Sequence, residues 1–189
     1  MEGSGYRLAE KEWIDVLPQY TSPINYCEIG VFCGHNVVSF AKTFIKNEES
    51  KIYAIDPWLD YKDCPNGHYG NHNENYIAFK NNMNNFNLSK SVVECRGFSS
   101  VELNNFSDNF FDLIFVDGNH HEPYYEIDFE LSRKKVKEGG IIIIDDTQHP
   151  PIRDKCVEIF EVKYKDEFSV IVKKEGQYFY KKTMFNMTR

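Results

Sequence analysis

Apolar and polar residues alternate along the chain in blocks that predict strands and helices in turn. Continuous apolar runs predict buried strands over residues 24–32, 51–55, 91–95, 111–116 and 141–144. Apolar residues at helical spacing lie between these runs, from Val37 to Ile45, from Tyr76 to Phe86, and from Pro123 to the pair Gly139-Gly140. Strands that alternate with helices predict a parallel sheet with helices on both faces.

The remaining segments complete a predicted fold. Residues 6–17 predict a weakly amphipathic helix in an N-terminal helical segment, residues 1–23, and a short helix is expected over residues 99–105. Pro150-Pro151 begins a helix, and two short strands, 168–172 and 178–180, predict a hairpin with Gly176 in its turn. We therefore expect an α/β fold in a single domain, residues 1–189. It would be a Rossmann-like, doubly wound sheet of seven strands, parallel except for one C-terminal antiparallel hairpin strand.

One long segment, residues 57–73, shows no hydrophobic period and contains several proline and glycine residues. Loops of this length in a compact domain are often functional. The segment carries aromatic and short polar side chains, namely Trp58, Tyr61, Asp63, His68, Tyr69 and His72. A substrate lid, a homodimer contact and a mobile surface loop all remain open at this point.

Composition narrows the class of partner. The chain of 189 residues has a net charge of −7, which disfavours a nucleic-acid backbone or an anionic membrane as its main partner. Its five cysteines include no Cys-x-x-Cys pair, which favours free thiols in a reducing compartment. No signal peptide is evident, and no apolar run approaches the roughly 20 residues that cross a bilayer. We expect a cytoplasmic protein that acts on a small molecule.

Two predicted strands run directly into carboxylates. Residues 111–116 end at Asp117, and residues 141–144 end at Asp145-Asp146. A helix between them implies a right-handed crossover, so both strands finish at the same edge of the sheet. Carboxylates gathered there require a cation, a proton or water. Open α/β sheets also bind their ligands at this edge, which locates a candidate site.

The first strand ends in Cys27-Glu28-Ile29-Gly30-Val31-Phe32-Cys33-Gly34, and Asp56 ends the second strand, 26 residues after Gly30. A carboxylate in the position of Asp56 can accept hydrogen bonds from both hydroxyls of a ribose. The Gly-x-Gly-x-x-Gly pattern of nicotinamide-binding proteins is absent here. Together with the seven predicted strands, these residues resemble the class I S-adenosylmethionine-dependent methyltransferases, although Phe32 stands where that family usually has its middle glycine.

The resemblance implies a set of cofactor contacts. Glu28 would lie near the methionine ammonium group, the glycines would form the turn around the cofactor, and Phe98 or Ser99 would contact the adenine. The cofactor-binding residues expected on this basis are Glu28, Gly30, Gly34, Asp56, Phe98, Ser99 and Asp117.

The segment Phe115-Val116-Asp117-Gly118-Asn119-His120-His121, with the later Asp145-Asp146, narrows the resemblance. It is similar to small O-methyltransferases of the family 24 type, whose fourth strand ends in Asp-Gly-Asp-His; Asn119 departs from that pattern. Metal-dependent members include catechol and macrolide-sugar O-methyltransferases. The resemblance implies that Asp117, Asp145 and Asp146 bind Mg²⁺ or Mn²⁺, which accept oxygen ligands.

His120 would be the general base, since an imidazole is a suitable proton acceptor near neutral pH. His121 and His149 remain alternatives for that role. We therefore expect methyl transfer from S-adenosylmethionine to a hydroxyl of a sugar or a phenol-like molecule, with the metal lowering the pKa of that hydroxyl. A metal-independent methyltransferase with another acceptor, or a catalytically silent module that binds the cofactor or oligomerises, are the other hypotheses.

Overall fold

The structure, a computed structural model, describes residues 1–64 and 70–184. Its internal contacts divide the chain into two compact units, Met1–Ser99 and the residues from Ser100 onward. The expectation of a single domain over the whole chain therefore stays a prediction. Within the described residues, no helix is both long enough and apolar enough to span a membrane.

Helices and strands alternate along the chain as the hydrophobic pattern predicts. The elements up to the unit boundary are α1 (Ala9–Glu12), β1 (Asn25–Ile29), α2 (His35–Phe44), β2 (Lys51–Asp56), α3 (His72–Asn85) and β3 (Val92–Arg96). A short helix, α4 (Ser99–Glu102), continues as a 3₁₀ turn over Leu103–Asn105. The later elements are β4 (Phe111–Val116), α5 (Tyr124–Lys135), β5 (Val136–Ile144), α6 (Pro150–Val157) with a π-helical extension (Glu158–Lys163), β6 (Phe168–Lys174) and β7 (Gln177–Lys182).

The seven strands form one mixed sheet in the order β3-β2-β1-β4-β5-β7-β6. The pairs β1–β2, β2–β3 and β4–β5 are parallel, whereas β7 runs antiparallel to both β5 and β6. The predicted α/β fold class, with a single antiparallel strand contributed by the C-terminal hairpin, is therefore confirmed for the strands that the structure describes.

The boundary between α5 and β5 differs from the prediction. The helix ends at Lys135, four residues before Gly139-Gly140, and Val136 begins the strand opposite Phe111. Gly139 has a φ of +76°, and a Cβ on Gly140 would lie 2.9 Å from the carbonyl oxygen of Asp112. The glycines therefore form an irregularity inside the strand, and they do not end the helix. The helical spacing of Val136 with the preceding apolar residues was a misleading signal.

The N-terminal helix is shorter than expected, four residues in place of the predicted 6–17. Leu8 precedes it and offers no side-chain oxygen to cap its first turn. After Trp13, the N–H groups of Val16 and Leu17 both donate to the Trp13 carbonyl oxygen, which makes a turn in place of further helix. Trp13 itself is completely buried.

Only part of the predicted 57–73 loop can be compared with the structure. A short bridge joins Tyr61 and Cys64 around a turn at residues 62–63, and α3 begins at His72. The loop residues His68 and Tyr69 lie outside the described residues, so the choice between lid, homodimer contact and surface loop stays open. All five cysteines are buried free thiols, as their spacing predicts.

Gly34, at the start of α2, offers a test of the fold. Its φ is +76°, and a Cβ there would lie 2.8 Å from both Phe79 and Met83 on α3. We expect Gly34→Ala to lower the free energy of unfolding by about 2–4 kcal/mol, because backbone strain and overpacking add. The measurement is urea denaturation.

Gly70→Ala is the matched control. Gly70 has a similar φ of +83°, but the nearest atom to an added Cβ is 3.8 Å away. Only the backbone term applies, so a loss of about 1 kcal/mol is expected. Equal losses in the two variants would contradict the packing of α2 on α3 described here.

Candidate active site

The turn between β1 and α2 is built from alternating left-handed residues. Gly30, Phe32 and Gly34 have φ values of +84°, +55° and +76°. Glycine adopts this conformation freely, whereas a residue with a Cβ is strained in it. The backbone thus keeps the shape that three glycines would give, even though Phe32 occupies the middle position.

Asp56 lies at the end of β2 and holds this turn. Its Oδ2 accepts a hydrogen bond from the Phe32 N–H at 2.9 Å, and its Oδ1 accepts one from the Trp58 N–H at 2.7 Å. Burial raises the pKa of Asp56, while backbone hydrogen bonds, including these two, act in the opposite direction. A carboxylate has about four acceptor positions, and the backbone donors of Phe32, Trp58 and Val31 use at most three of them, so the group can still accept a ribose hydroxyl.

Glu28 is 1 % exposed. Its Oε2 accepts hydrogen bonds from the Tyr26 hydroxyl at 2.5 Å and from the Asn36 amide at 3.0 Å. Asn36 in turn accepts a bond from the Ala9 N–H at 2.9 Å. In this structure the carboxylate ties β1 to α2, and its expected contact with a methionine ammonium group stays a prediction.

Phe98 and Ser99 follow β3. The ring of Phe98 meets the ring of Tyr61 edge to face, with the ring centroids 5.1 Å apart. Both Phe98 and Ser99 are partly exposed, and Ser99 is the first residue of α4. An aromatic side chain from the 57–64 segment thus lies against the position expected to contact adenine.

In the second unit, three side chains converge at the ends of β4 and β5. The ligand atoms of Asp117, His120 and Asp146 all lie within 4.8 Å of one another. His120 Nε2 is 2.8 Å from Asp146 Oδ2 and 3.9 Å from Asp117 Oδ1. We call these three residues the acidic cluster. One nitrogen and two carboxylate donors at this spacing suit a divalent cation.

Local backbone geometry aims these side chains. Asp146 has a φ of +56°, and its Oδ1 accepts a hydrogen bond from the Gln148 amide at 2.6 Å. The Asn119 side chain accepts a bond from the His121 N–H at 2.8 Å, which closes a tight turn around His120. The amide that departs from the family pattern therefore shapes the loop. His120 faces the carboxylates, and His121 is exposed.

Asp145 lies beside the acidic cluster with a partner of its own. Its Oδ1 accepts a hydrogen bond from the Gln177 amide at 3.0 Å, and Gln177 is 4 % exposed at the start of β7. The turn of the hairpin also supports this loop, because the Gly176 carbonyl accepts the Thr147 N–H at 3.1 Å. Asp145, predicted as a metal ligand, is not in the group of three whose ligand atoms converge.

Burial and the interactions between neighbouring charged side chains shift the pKa values in this region. Burial, with the nearby charges of Asp145 and Asp146, raises the pKa of Asp117 well above its usual value. Burial and the charge of Asp146 also raise the pKa of Asp145 to about 6. Burial acts to raise the pKa of Asp146 as well, but the bonds from His120 and Gln148 outweigh it and lower that pKa. The interactions with Asp117 and Asp146 raise the pKa of His120 to about 10.

His120 is therefore a cation at neutral pH in this structure and neutralises part of the charge around it. His149 lies nearby, with its ring centroid 6.2 Å from that of His120 and its Nε2 3.9 Å from Asp146 Oδ1. A small recess lies beside these groups. Asp117, His120 and Asp145 line one part of it, and Tyr125 and Phe129 line another.

Several contributing residues escaped the sequence analysis. Trp58 was noted only as an aromatic in a long loop, yet its indole N–H donates to the Phe32 carbonyl at 2.7 Å. Gln177 was assigned to a hairpin turn. The position of Trp58, two residues after the strand-ending Asp56, is a local signal that could have been used. Gln177 has no such local signal, because its partner Asp145 is 32 residues away.

The state of His120 can be tested by NMR in metal-free protein. We expect its imidazole to titrate near pH 10, because its carboxylate partners favour the charged form. Since this is above the ordinary value of 6.5, its stabilising effect is full below pH 6.5 and is lost as the pH rises through about 10. In Asp146→Asn the pKa should fall. Titration near 6.5 in both proteins would contradict the described geometry.

Comparisons with known proteins identify the family of this chain. A family model described as "Methyltransferase domain", Methyltransf_24, matches residues 27–147. A curated protein of Dictyostelium discoideum, probable caffeoyl-CoA O-methyltransferase 3, is 25 % identical over 147 residues. That match covers 76 % of this chain and 53 % of the relative, so the chain spans about half the length of the curated relative.

Solved structures share the fold at low identity. A Staphylococcus aureus protein described as a caffeoyl-CoA O-methyltransferase is 15 % identical, with a TM-score of 0.57, over 84 % of this chain and 76 % of its own. A precorrin-6y C5,15-methyltransferase of Geobacter metallireducens is 14 % identical, with a TM-score of 0.61, over 89 % and 84 %. A methyltransferase of Geobacter sulfurreducens is 14 % identical, with a TM-score of 0.60, over 86 % and 72 %.

The family model covers both the glycine turn after β1 and the acidic ends of β4 and β5, and it extends over more than half of the sequence. The chain therefore belongs to the methyltransferase-domain family, in its class I, family 24-like form.

Proposed function

We propose that this protein transfers a methyl group from S-adenosylmethionine to a hydroxyl of a small molecule, with a divalent cation bound at the acidic cluster. The observation that carries the proposal is the convergence of Asp117, His120 and Asp146 in a chain of the methyltransferase-domain family. The name of the Dictyostelium relative, an O-methyltransferase, supports oxygen as the acceptor atom.

The cofactor would supply an electrophilic methyl group on a sulfonium sulfur. The first unit fits it, because the Asp56 carboxylate is fixed by backbone N–H donors and keeps a lone pair for a ribose hydroxyl. The protein backbone of the turn through Gly30 and Gly34 would lie against the cofactor, and Phe98 with Ser99 would contact its adenine base. Glu28 would act mainly by holding the start of α2 in place.

The second unit fits a hard divalent cation. Carboxylate oxygens from Asp117 and Asp146 are the ligands that Mg²⁺ and Mn²⁺ prefer. When bound, such an ion would lower the pKa of an acceptor hydroxyl and orient it. Asp145 would serve as a further ligand or as a nearby negative charge held by Gln177.

His120 would move a proton. In the metal-free protein it is protonated and cannot accept another one. Its pKa would fall when Asp117 and Asp146 bind a cation, because the imidazolium would then face a like charge. A neutral His120 could then take the proton of the acceptor hydroxyl, and general-base assistance of this kind contributes about 10²–10⁴-fold.

A phenolic acceptor is the first class to test, with sugar hydroxyls second. The relative's name specifies a caffeoyl group, which carries adjacent phenolic hydroxyls. The choice between the two classes rests on that name alone, because Tyr125 and Phe129 beside the acidic cluster are buried and present no ring face to a ligand.

The proposal predicts metal-dependent turnover that needs Asp146. Radiolabelled S-adenosylmethionine should methylate members of a panel of catechols, caffeoyl-CoA and sugars in the presence of Mg²⁺ or Mn²⁺, and EDTA should stop the reaction. Asp146→Asn should lower the rate at least 10²-fold and weaken Mn²⁺ binding measured by calorimetry, since it removes a charged ligand.

Asp112→Asn is the matched control for that variant. Asp112 lies on the same strand as Val116 but pairs with Lys137 at 2.8 Å, outside the acidic cluster. It should leave Mn²⁺ binding and turnover near the wild-type level. Turnover that survives EDTA and Asp146→Asn would select the metal-independent alternative. Cofactor binding without turnover on the whole panel would favour the silent module.

A further inference from the structure

We propose that Trp58 is a positioning residue for the cofactor: together with Asp56 it clamps Phe32 in the left-handed conformation that the glycine turn requires. The inference rests on the proposed function only in that the turn binds S-adenosylmethionine. The clamp itself is a feature of the first unit and can be measured without any cofactor.

Both backbone polar groups of Phe32 are held from the end of β2. Its N–H donates to Asp56 Oδ2 at 2.9 Å, and its carbonyl accepts the indole N–H of Trp58 at 2.7 Å. The circuit closes because the backbone N–H of Trp58 donates to Asp56 Oδ1 at 2.7 Å. Three hydrogen bonds thus join three residues from two segments, and they fix both dihedral angles on either side of the Phe32 Cα.

The backbone conformation of Phe32 explains why hydrogen bonds are needed at this position. Phe32 has a φ of +55°, which glycine adopts without strain and a residue with a Cβ does not. The chain has therefore lost the intrinsic freedom of the usual glycine. The hydrogen bond that Phe32 donates to Asp56 and the one that it accepts from Trp58 replace that freedom with an external constraint.

The indole is itself rigidly placed. Trp58 is 2 % exposed, and its ring packs against Tyr76 and Phe79 of α3, with centroid distances of 5.3 and 4.7 Å. Its own φ is +41°, so its backbone also departs from ordinary geometry to make this contact. The clamp therefore transmits the position of α3 to the turn after β1.

The clamp affects cofactor binding through the Asp56 carboxylate. The carboxylate can present a remaining lone pair to a ribose only while its backbone donors, including Phe32 and Trp58, keep its plane fixed. If the indole N–H is removed, the Phe32 carbonyl loses its partner and Phe32 can relax toward a negative φ. The Phe32 N–H then turns away from Asp56, and the carboxylate loses its orientation.

Trp58→Phe tests the clamp, since it keeps an aromatic ring and removes only the N–H donor and some ring volume. The probe is S-adenosylhomocysteine, measured by isothermal titration calorimetry. We expect about a 10-fold rise in Kd for Trp58→Phe, the size of one lost hydrogen bond that leaves a carbonyl unpaired. In Trp58→Phe/Phe32→Gly, most of that loss should disappear, because glycine needs no clamp.

Trp13→Phe is the matched control, a buried tryptophan of the same unit whose ring packs on Phe40. It should leave the Kd for S-adenosylhomocysteine within about 2-fold of the wild type, well below one hydrogen bond in energy. An equal Kd in Trp58→Phe and the wild type would overturn the proposal. So would a double variant that binds no better than Trp58→Phe. If the wild type itself failed to bind S-adenosylhomocysteine, the proposed function would fail and the clamp would be judged by the next measurement.

Hydrogen exchange on the cofactor-free wild type gives that second measurement. The indole N–H of Trp58 and the amide N–H of Phe32 should both be protected. In Trp58→Phe, if it folds, the amide of Phe32 should exchange at least 10-fold faster. An indole N–H of Trp58 that exchanges as fast as that of free tryptophan would overturn the clamp whatever the binding data show.

Discussion

Parallel strands that end in carboxylates confine like charges to one edge, and this constraint organises the second unit. Asp117 and Asp146 follow β4 and β5, and the proton on His120 is what makes their proximity tolerable in the absence of an ion. The left-handed φ of Asp146 and the turn capped by Asn119 both serve to bring these groups together. A metal ion bound there would replace the positive charge that the proton on His120 supplies.

In the first unit, hydrogen bonds in place of opposite charges hold the proposed binding groups in position. The turn after β1 needs left-handed residues, and Phe32 adopts that conformation while its N–H and carbonyl are both bonded from the β2 side. Among the described residues other than glycine, five have a positive φ, and three of them, Phe32, Trp58 and Asp146, lie among the groups proposed to bind or position ligands; the other two are asparagines, which adopt this conformation more readily. Strain of this kind persists only where surrounding contacts over-determine it.

The sequence predicted the features that depend on local pattern and on topology. Residues 111–116 form a strand with those bounds, and the crossover rule places Asp117 and Asp146 at neighbouring strand ends. The predicted end of α5 was wrong because Val136 fits the spacing of an apolar helix face as well as a strand. Only its pairing with Phe111 distinguishes the two. The orientation of Asp145 depends on Gln177 in a strand far along the chain, and the role of Trp58 depends on packing against α3. Neither long-range contact has a periodic signature.

The most direct test of the central claim is a crystal structure of the protein with Mn²⁺ and S-adenosylhomocysteine, with the metal located by anomalous scattering. The account predicts a single strong peak within about 2.0–2.4 Å of carboxylate oxygens from both Asp117 and Asp146. A peak elsewhere, or a site at millimolar Mn²⁺ that holds no metal while His120 still bonds Asp146, would contradict it.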